Sequence, residues 1–214
     1  MTPTIKKGLF LYKVLYFYRN IVFIVLGGLL WASPLYCQNN VFSAQLITDL
    51  NFSQIDGDEM AGFDRIGFGG GVGVSYSFVP RWTGHVELMY RNVGARSSYF
   101  APIKQSIDVH QAQIPVYISY RTWWVNGLSK FHFDVGGLYG RNIHTKINFP
   151  RFEKNDKFIQ DNIYSLLAGF GLWINHHHGI KTRYIRSFTW LMKNPEEDLA
   201  WNLYYISLQY HYRF

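Results

Sequence analysis

Apolar and polar residues alternate with a period of two through most of the chain from Gln38 to Phe214. This is the pattern of β-strands whose two faces meet different surroundings. In 66–78, large apolar side chains share one face, while glycines and serines share the other. Strands of about 9–11 residues cross a bilayer when tilted. Eight such segments are predicted, at 43–52, 66–78, 85–91, 111–121, 131–139, 163–174, 180–190 and 202–214.

The connections between these segments alternate in length. Short links are predicted at 79–82, 122–129 and 175–179, and longer, more polar links at 54–65, 93–106, 142–161 and 191–199. Short turns at one end, long loops at the other and an even strand number are typical of outer-membrane barrels. We therefore predict an all-β fold, an eight-stranded antiparallel up-and-down transmembrane β-barrel, formed by one domain over residues 38–214.

Alternation alone does not say which face is outside, because a soluble exported barrel would bury its apolar face. Two features favour an apolar face that contacts lipid. Aromatic residues gather at the segment ends, as an interfacial girdle requires. The final segment also carries Tyr210, Tyr212 and Phe214 in strict alternation. We expect these three residues to act as a barrel-assembly signal.

The first 37 residues predict a cleaved signal peptide. Residues 1–20 are basic, 21–32 are apolar, and Ser33-Pro34 ends the run, which is too short to span a bilayer. We expect cleavage between Cys37 and Gln38. A lipoprotein signal that acylates Cys37 and an uncleaved anchor are the alternatives.

The net charge of +7 is concentrated in that leader, which holds four basic residues and no acid. The remainder carries 17 basic residues against 14 acidic ones, which is not the charge pattern of a nucleic-acid-binding protein. A single cysteine excludes a disulfide framework and multi-cysteine metal sites. Consecutive His176, His177 and His178 cannot all converge on one ion, and 56–59 lacks the ligand spacing of a calcium loop. We expect no cofactor and no metal.

Several polar residues fall on the predicted inner face, where we expect a structural ion-pair network rather than a pore or a catalytic site. They are His85, Glu87, Arg91, Arg121, His132, Asp134 and Arg183, with His211 on the same face. Buried charges in a small barrel must be paired. Pro115 predicts a bulge, because it cannot donate a ladder hydrogen bond. Arg186 falls on the lipid face, so either a bulge shifts the register or the residue lies near the headgroups.

Four stretches carry a family resemblance: 51–74 (NFSQIDGDEMAGFDRIGFGGGVGV), 111–120 (QAQIPVYISY), Arg183-Tyr184 and 203–214 (LYYISLQYHYRF). On these residues the chain resembles the PorT-like, porin-family outer-membrane β-barrel proteins of Bacteroidetes. The resemblance implies a fold and an outer-membrane location. It leaves the task open, since that family is functionally diverse and a few of its members act in protein secretion and gliding.

We expect a non-enzymatic outer-membrane protein whose body is closed and whose loops bind a partner or support an assembly. The longest predicted loop, 142–161, is basic in its middle. Expected partners are outer-membrane lipid and lipopolysaccharide, the barrel-assembly machinery, and an envelope or secretion complex. One alternative is a lipid-modifying enzyme, for which Ser97, Ser98, His144 and Glu153 are the candidates. The other is a soluble exported ligand-binding barrel.

Overall fold

The computed structural model describes residues 42–57, 60, 62–98, 100–101, 104–125, 128–148, 158–194 and 199–214. The predicted signal peptide and its cleavage site lie outside these residues. The described residues form nine strands: β1 Phe42–Asp56, β2 Arg65–Val79, β3 Trp82–Arg96, β4 Ser106–Val125, β5 Leu128–Asn148, β6 Asn162–Trp173, β7 His178–Ser187, β8 Met192–Asn194 and β9 Leu199–Arg213. Within the described part of the chain, no helix is long and apolar enough to cross a membrane.

Eight of the strands form a closed barrel. Each of β1 to β7 pairs antiparallel with its sequence neighbour, β7 pairs with β9, and β9 pairs back to β1. The three-residue β8 pairs with β9 alone and stands outside this ring. The predicted eight-stranded antiparallel barrel is therefore confirmed, whereas β8 is an addition that the alternation did not indicate.

The turns at one end of the barrel are tight. Val79 pairs with Trp82, and Val125 pairs with Leu128, so each of these hairpins closes through two residues. We call this the short-turn end and the opposite one the long-loop end. The chain enters β1 and leaves β9 at the short-turn end.

Several of the predicted loops are shorter than expected because their strands continue. Residues 142–148 belong to β5 and pair with the start of β4, and 93–96 belong to β3. The predicted loop 142–161 is therefore wrong at its beginning. The reason is that the simple alternation fades once a hairpin extends beyond the apolar surface, although the backbone pairing persists.

The outer face of the barrel is apolar and exposed, and the inner face is largely polar and buried. Phe68, Val135 and Leu166 are each more than 60% exposed, whereas the residues beside them point inward. Aromatic pairs mark both rims of this apolar band, with Trp82 against Tyr120 at the short-turn end and Tyr139 against Tyr164 towards the long-loop end. Such an exterior is stable in lipid and is the reverse of a soluble ligand-binding barrel.

The predicted bulge at Pro115 is wrong. The register between β3 and β4 is the same before and after this residue, although the ladder is interrupted between the pairs Val86–Val116 and Met89–Gln113. Proline removes one ladder donor there without adding a residue. The register shift lies instead in the β4–β5 pair at His110 and Gln111, opposite Ile143.

Arg186 points outward and lies close to the long-loop end, with no register shift in β7. Its guanidinium lies 3.6 Å from the carboxylate of Asp56 and 5.9 Å from the ring centre of Tyr204. Of the two explanations for a charge on this face, the rim position is the one that the structure supports.

Candidate functional site

The interior of the barrel is built from large side chains that each face a glycine on the neighbouring strand. Register pairs join Glu87 to Gly73, Arg91 to Gly69, Tyr117 to Gly136, Lys181 to Gly171 and Arg183 to Gly169. A Cβ atom built on Gly169 would lie 2.7 Å from Cγ of Arg183, and one on Gly136 would lie 2.5 Å from Cβ of Tyr117. The inner-face glycines therefore provide the space that the long side chains fill.

Two ion pairs cross the middle of the barrel. Arg183 donates to both carboxylate oxygens of Glu87, at 2.8 and 3.0 Å. Lys181 donates to Asp134 at 2.9 Å, and Arg183 contacts the same oxygen at 3.4 Å. The hydroxyl of Ser119 also donates to Asp134. Because one arginine contacts both carboxylates, these four charged residues form one group.

Tyr117 lies at the centre of this group. Its hydroxyl donates to Glu87 and accepts a 3.3 Å hydrogen bond from Lys181. The guanidinium of Arg183 lies 4.2 Å from its ring centre, and the ring of His85 stacks on it at 4.5 Å. The phenol thus connects both ion pairs and gives each cation an aromatic face.

A second layer lies closer to the long-loop end, around Arg91. This guanidinium binds the carboxylate of Asp49 and the side-chain oxygen of Gln113, and it donates to the hydroxyl of Tyr205 at 3.3 Å. The Tyr205 hydroxyl itself donates to Gln113 at 3.0 Å, and Ser207 donates to Asp49 at 2.6 Å.

The two layers balance their charges. Their three ion pairs join Arg91 with Asp49, Lys181 with Asp134, and Arg183 with Glu87, and every one of these side chains is at least 98% buried. Desolvating such charges is costly, and only close pairing with further hydrogen bonds offsets the cost. Across the described residues, the middle of the barrel is therefore filled by a neutral, packed network.

The structure places four of the sequence-predicted residues, Glu87, Arg91, Asp134 and Arg183, in this network, and His85 stacks against it. His132 lies nearer the short-turn end, beside Trp173. Arg121 lies apart from these ion pairs, nearer the short-turn end: its guanidinium donates to the carbonyl of Val79 at 3.4 Å and lies over the ring of Trp124. The pairing of β4 with β3 ends one residue earlier, at Tyr120 and Trp82, so the side chain lies at the rim of the barrel.

Sequence reasoning missed Asp49, Tyr117, Lys181 and Tyr205 as members of the network. A signal was present for Lys181, which has the same parity as Arg183 in its strand and so must share its face. Tyr117 and Tyr205 share the parity of Ser119 and Ser207 and so fall on the inner face. Their residue type did not mark them as network members, because a tyrosine suits both the lipid interface and the interior.

The interior near the long-loop end is apolar, which the alternation did not predict. Buried residues from the ends of several strands pack there, including Ile55, Val93 and Ile107. Leu191 and Met192 belong to the same cluster, and Met192 bridges to Ile159. The segment that contains β8 therefore covers this end of the barrel with an apolar cap.

The β4–β5 hairpin is the longest feature at the long-loop end. Its strands contain 20 and 21 residues, about twice the length that crosses a bilayer. Strand β6 pairs with β5 only as far as Arg141, so among the described residues 143–148 have no strand partner on that side. Residues 149–157 of the predicted basic loop, including Glu153, lie outside the described residues.

The other candidates for chemistry lie in separate places. The ring nitrogen of His177 is 2.8 Å from the carbonyl of Arg213, and that of His178 is 2.5 Å from the Tyr210 hydroxyl. Ser97 accepts a hydrogen bond from the backbone of Gln105, and the ring of His144 packs near His110. In the described ranges, no three His, Cys, Asp or Glu side chains are grouped to hold a metal ion.

Comparison with known proteins gives structural likeness only. No protein-family model and no curated protein matches the chain. Neisserial surface protein A is similar at 12% identity over 81% of this chain and 97% of that chain, with a TM-score of 0.49. Ail of Yersinia pestis, solved with the heparin analogue sucrose octasulfate, is 13% identical over 80% and 97%, with a TM-score of 0.42. A de novo designed transmembrane β-barrel is 9% identical over 80% and 95%, with a TM-score of 0.41.

Proposed function

We propose that the chain is a non-enzymatic outer-membrane β-barrel with a closed body, which works through the surface at its long-loop end. The observation that carries this proposal is the filled interior. The ion-pair layers and the apolar cap occupy the barrel in succession, so the described residues leave no continuous aqueous path along its axis. A barrel closed in this way acts as a support for its loops rather than as a channel.

The location follows from the exterior. The exposed apolar band with aromatic rims needs lipid around it, and closed barrels of this kind satisfy all backbone groups without water. With short turns on the periplasmic side, the long-loop end faces outward. The resemblance to PorT-like proteins of Bacteroidetes agrees with this location, and membership of that family and a link to secretion remain part of the proposal.

The projecting β4–β5 hairpin is the part of the outward end that we assign to binding. The part of the hairpin beyond the apolar band carries polar and charged side chains, and Arg141 and Lys146 are exposed. The unpartnered edge at 143–148 offers backbone groups to an added strand, and the basic side chains suit an anionic partner. Lipopolysaccharide and a protein of an envelope or secretion complex are the partners we propose for this surface.

Conductance in planar bilayers tests the closed body. The purified barrel should give no steady large-pore current, whereas a general porin reconstituted in parallel should conduct. A steady large current from correctly folded protein, identified by its heat-dependent gel mobility, would overturn the proposal.

Cross-linking in cells tests the binding surface. Replacing 149–157 by a glycine-serine linker of equal length should abolish cross-links that form through residues 143–148 and leave the folded barrel intact. The control is the same kind of replacement at 174–177, the turn at the opposite end, which should leave the cross-links unchanged. Equal loss in both variants would mean that the long-loop end is not the working surface.

A further inference from the structure

A cavity of about 450 Å³ opens at the short-turn end, on the opposite side of the charged network from the apolar cap. Its wall includes Arg121, Arg213, His85, His132, Ser77 and Thr83. We call this cavity the vestibule. Its volume lies in the range of small-molecule sites, and its polar groups come from different strands and converge on one space.

Several polar atoms of the vestibule wall have no hydrogen-bond partner among the described residues. They are Nε2 of His85, Nδ1 of His132, and Nε of both Arg121 and Arg213. The two histidines are only 4% and 3% exposed, so bulk water does not satisfy them freely. Leaving a buried polar group unpaired is costly, and native structures rarely do so without a ligand or an ordered water.

The charged side chains of the vestibule are arginines. Among the described residues that line it there is no aspartate or glutamate side chain, and the interior acids Glu87 and Asp134 already bind Arg183 and Lys181. The vestibule therefore holds two arginines without a carboxylate partner from the described residues.

Both arginines are held in place by aromatic rings rather than by acids. The guanidinium of Arg213 lies 3.7 Å from the ring centre of Trp173, and that of Arg121 lies 5.4 Å from the ring centre of Trp124. Stacking on a ring orients a guanidinium and leaves N–H groups able to donate, although one N–H of Arg121 is used by the Val79 carbonyl. The two groups are therefore oriented before any ligand arrives.

We propose that the vestibule binds the phosphate or carboxylate group of a small soluble molecule. Guanidinium groups match such oxyanions in shape and charge, and the imidazoles, Ser77 and Thr83 offer further hydrogen bonds. A cation would be repelled by the two arginines. The site lies at the end that faces the periplasm in the proposed orientation, and its chemistry does not depend on what binds at the long-loop end.

Titration calorimetry on the full barrel in a zwitterionic detergent tests this assignment, with inorganic phosphate in one arm and succinate in the other. At least one of the two should bind saturably, with one site per chain. The double variant Arg121→Gln/Arg213→Gln should weaken binding by about tenfold or more, because it removes both charge-assisted contacts. The arm that binds identifies which oxyanion the vestibule accepts.

The matched control is Arg81→Gln. Arg81 lies in the turn at the same end, where it donates to the Tyr120 hydroxyl, and it does not line the vestibule. Its loss should change affinity by no more than about twofold, as expected for an exposed charge. An equal loss in this variant would show diffuse attraction instead of a site, and no saturable binding of either anion up to about 10 mM would overturn the proposal.

Chemical protection keeps the test valid if the double variant does not fold. Phenylglyoxal should modify arginines of the wild-type barrel, and the anion that binds should protect Arg121 and Arg213 while Arg81 remains reactive. Identical modification of all three residues with and without the anion would also refute the assignment.

Discussion

Replacing Arg183 by methionine removes the cation that connects the two halves of the central network. Its guanidinium makes two hydrogen bonds to Glu87 and a 3.4 Å contact with Asp134. After the substitution, Lys181 is the remaining cation beside two carboxylates. The group changes from neutral to one uncompensated negative charge in a place that water does not reach.

The expected cost follows from that burial. Removing one partner of a buried pair typically destabilises a protein by about 3–5 kcal/mol, because the other charge is left unpaired. Converting Glu87 to glutamine in the same chain restores charge balance, with Lys181 and Asp134 still paired. The double variant should therefore be more stable than the sum of the two single effects by at least about 1 kcal/mol.

Urea unfolding of the barrel in lipid vesicles, followed by tryptophan fluorescence, measures these free energies. The matched control is Arg186→Met, three positions along the same strand on the outer face, where the ion pair with Asp56 is 55% and 63% exposed. That variant should lose no more than about 1 kcal/mol. If Arg183→Met costs no more than the control, the network does not stabilise the barrel as argued.

Three further comparisons, each between a variant and its control, test separate parts of the structure. Gly136→Ala should destabilise the barrel by about 1–3 kcal/mol, because the new Cβ would lie 2.3 Å from the Val116 carbonyl oxygen. Its control is Gly137→Ala, whose Cβ would lie 3.8 Å from its closest contact and which should cost clearly less in the same urea assay. Leu88→Lys on the lipid face should cost about 2–4 kcal/mol, whereas Ile143→Lys on the projecting hairpin should be nearly neutral; equal costs would contradict the membrane position. The N–H of Phe214 donates to the Ala44 carbonyl, where β9 closes the barrel against β1. Removing Phe214 should therefore lower the fraction of protein inserted in cell membranes, whereas the control Phe78→Ala should not. Normal insertion without Phe214 would contradict its assembly role.

The alternation of residue types was sufficient to predict the eight barrel strands and, where the barrel carries its apolar outer band, the face that each side chain takes. This works because the barrel wall separates lipid from the polar interior. Side chains along a strand therefore alternate between apolar and polar, whichever strand lies beside it. Gly67, Gly69, Gly71 and Gly73 also follow the alternation, and the structure places them on the inner face. Pro115 shows the limit, since its effect on the ladder depends on the partner strand.

The identity of the pairs was decided only by the tertiary structure. Glu87 and Arg183 are 96 positions apart, and their contact depends on the register of every strand between them and on which glycine leaves space for each side chain. The apolar cap has the same origin, because β8 gains its position by pairing with β9. The vestibule also depends on closure, which brings Arg121 and Arg213 from distant strands to one rim. The local sequence pattern indicates whether a residue faces lipid or the interior, whereas ion pairs and cavities form only when the barrel closes.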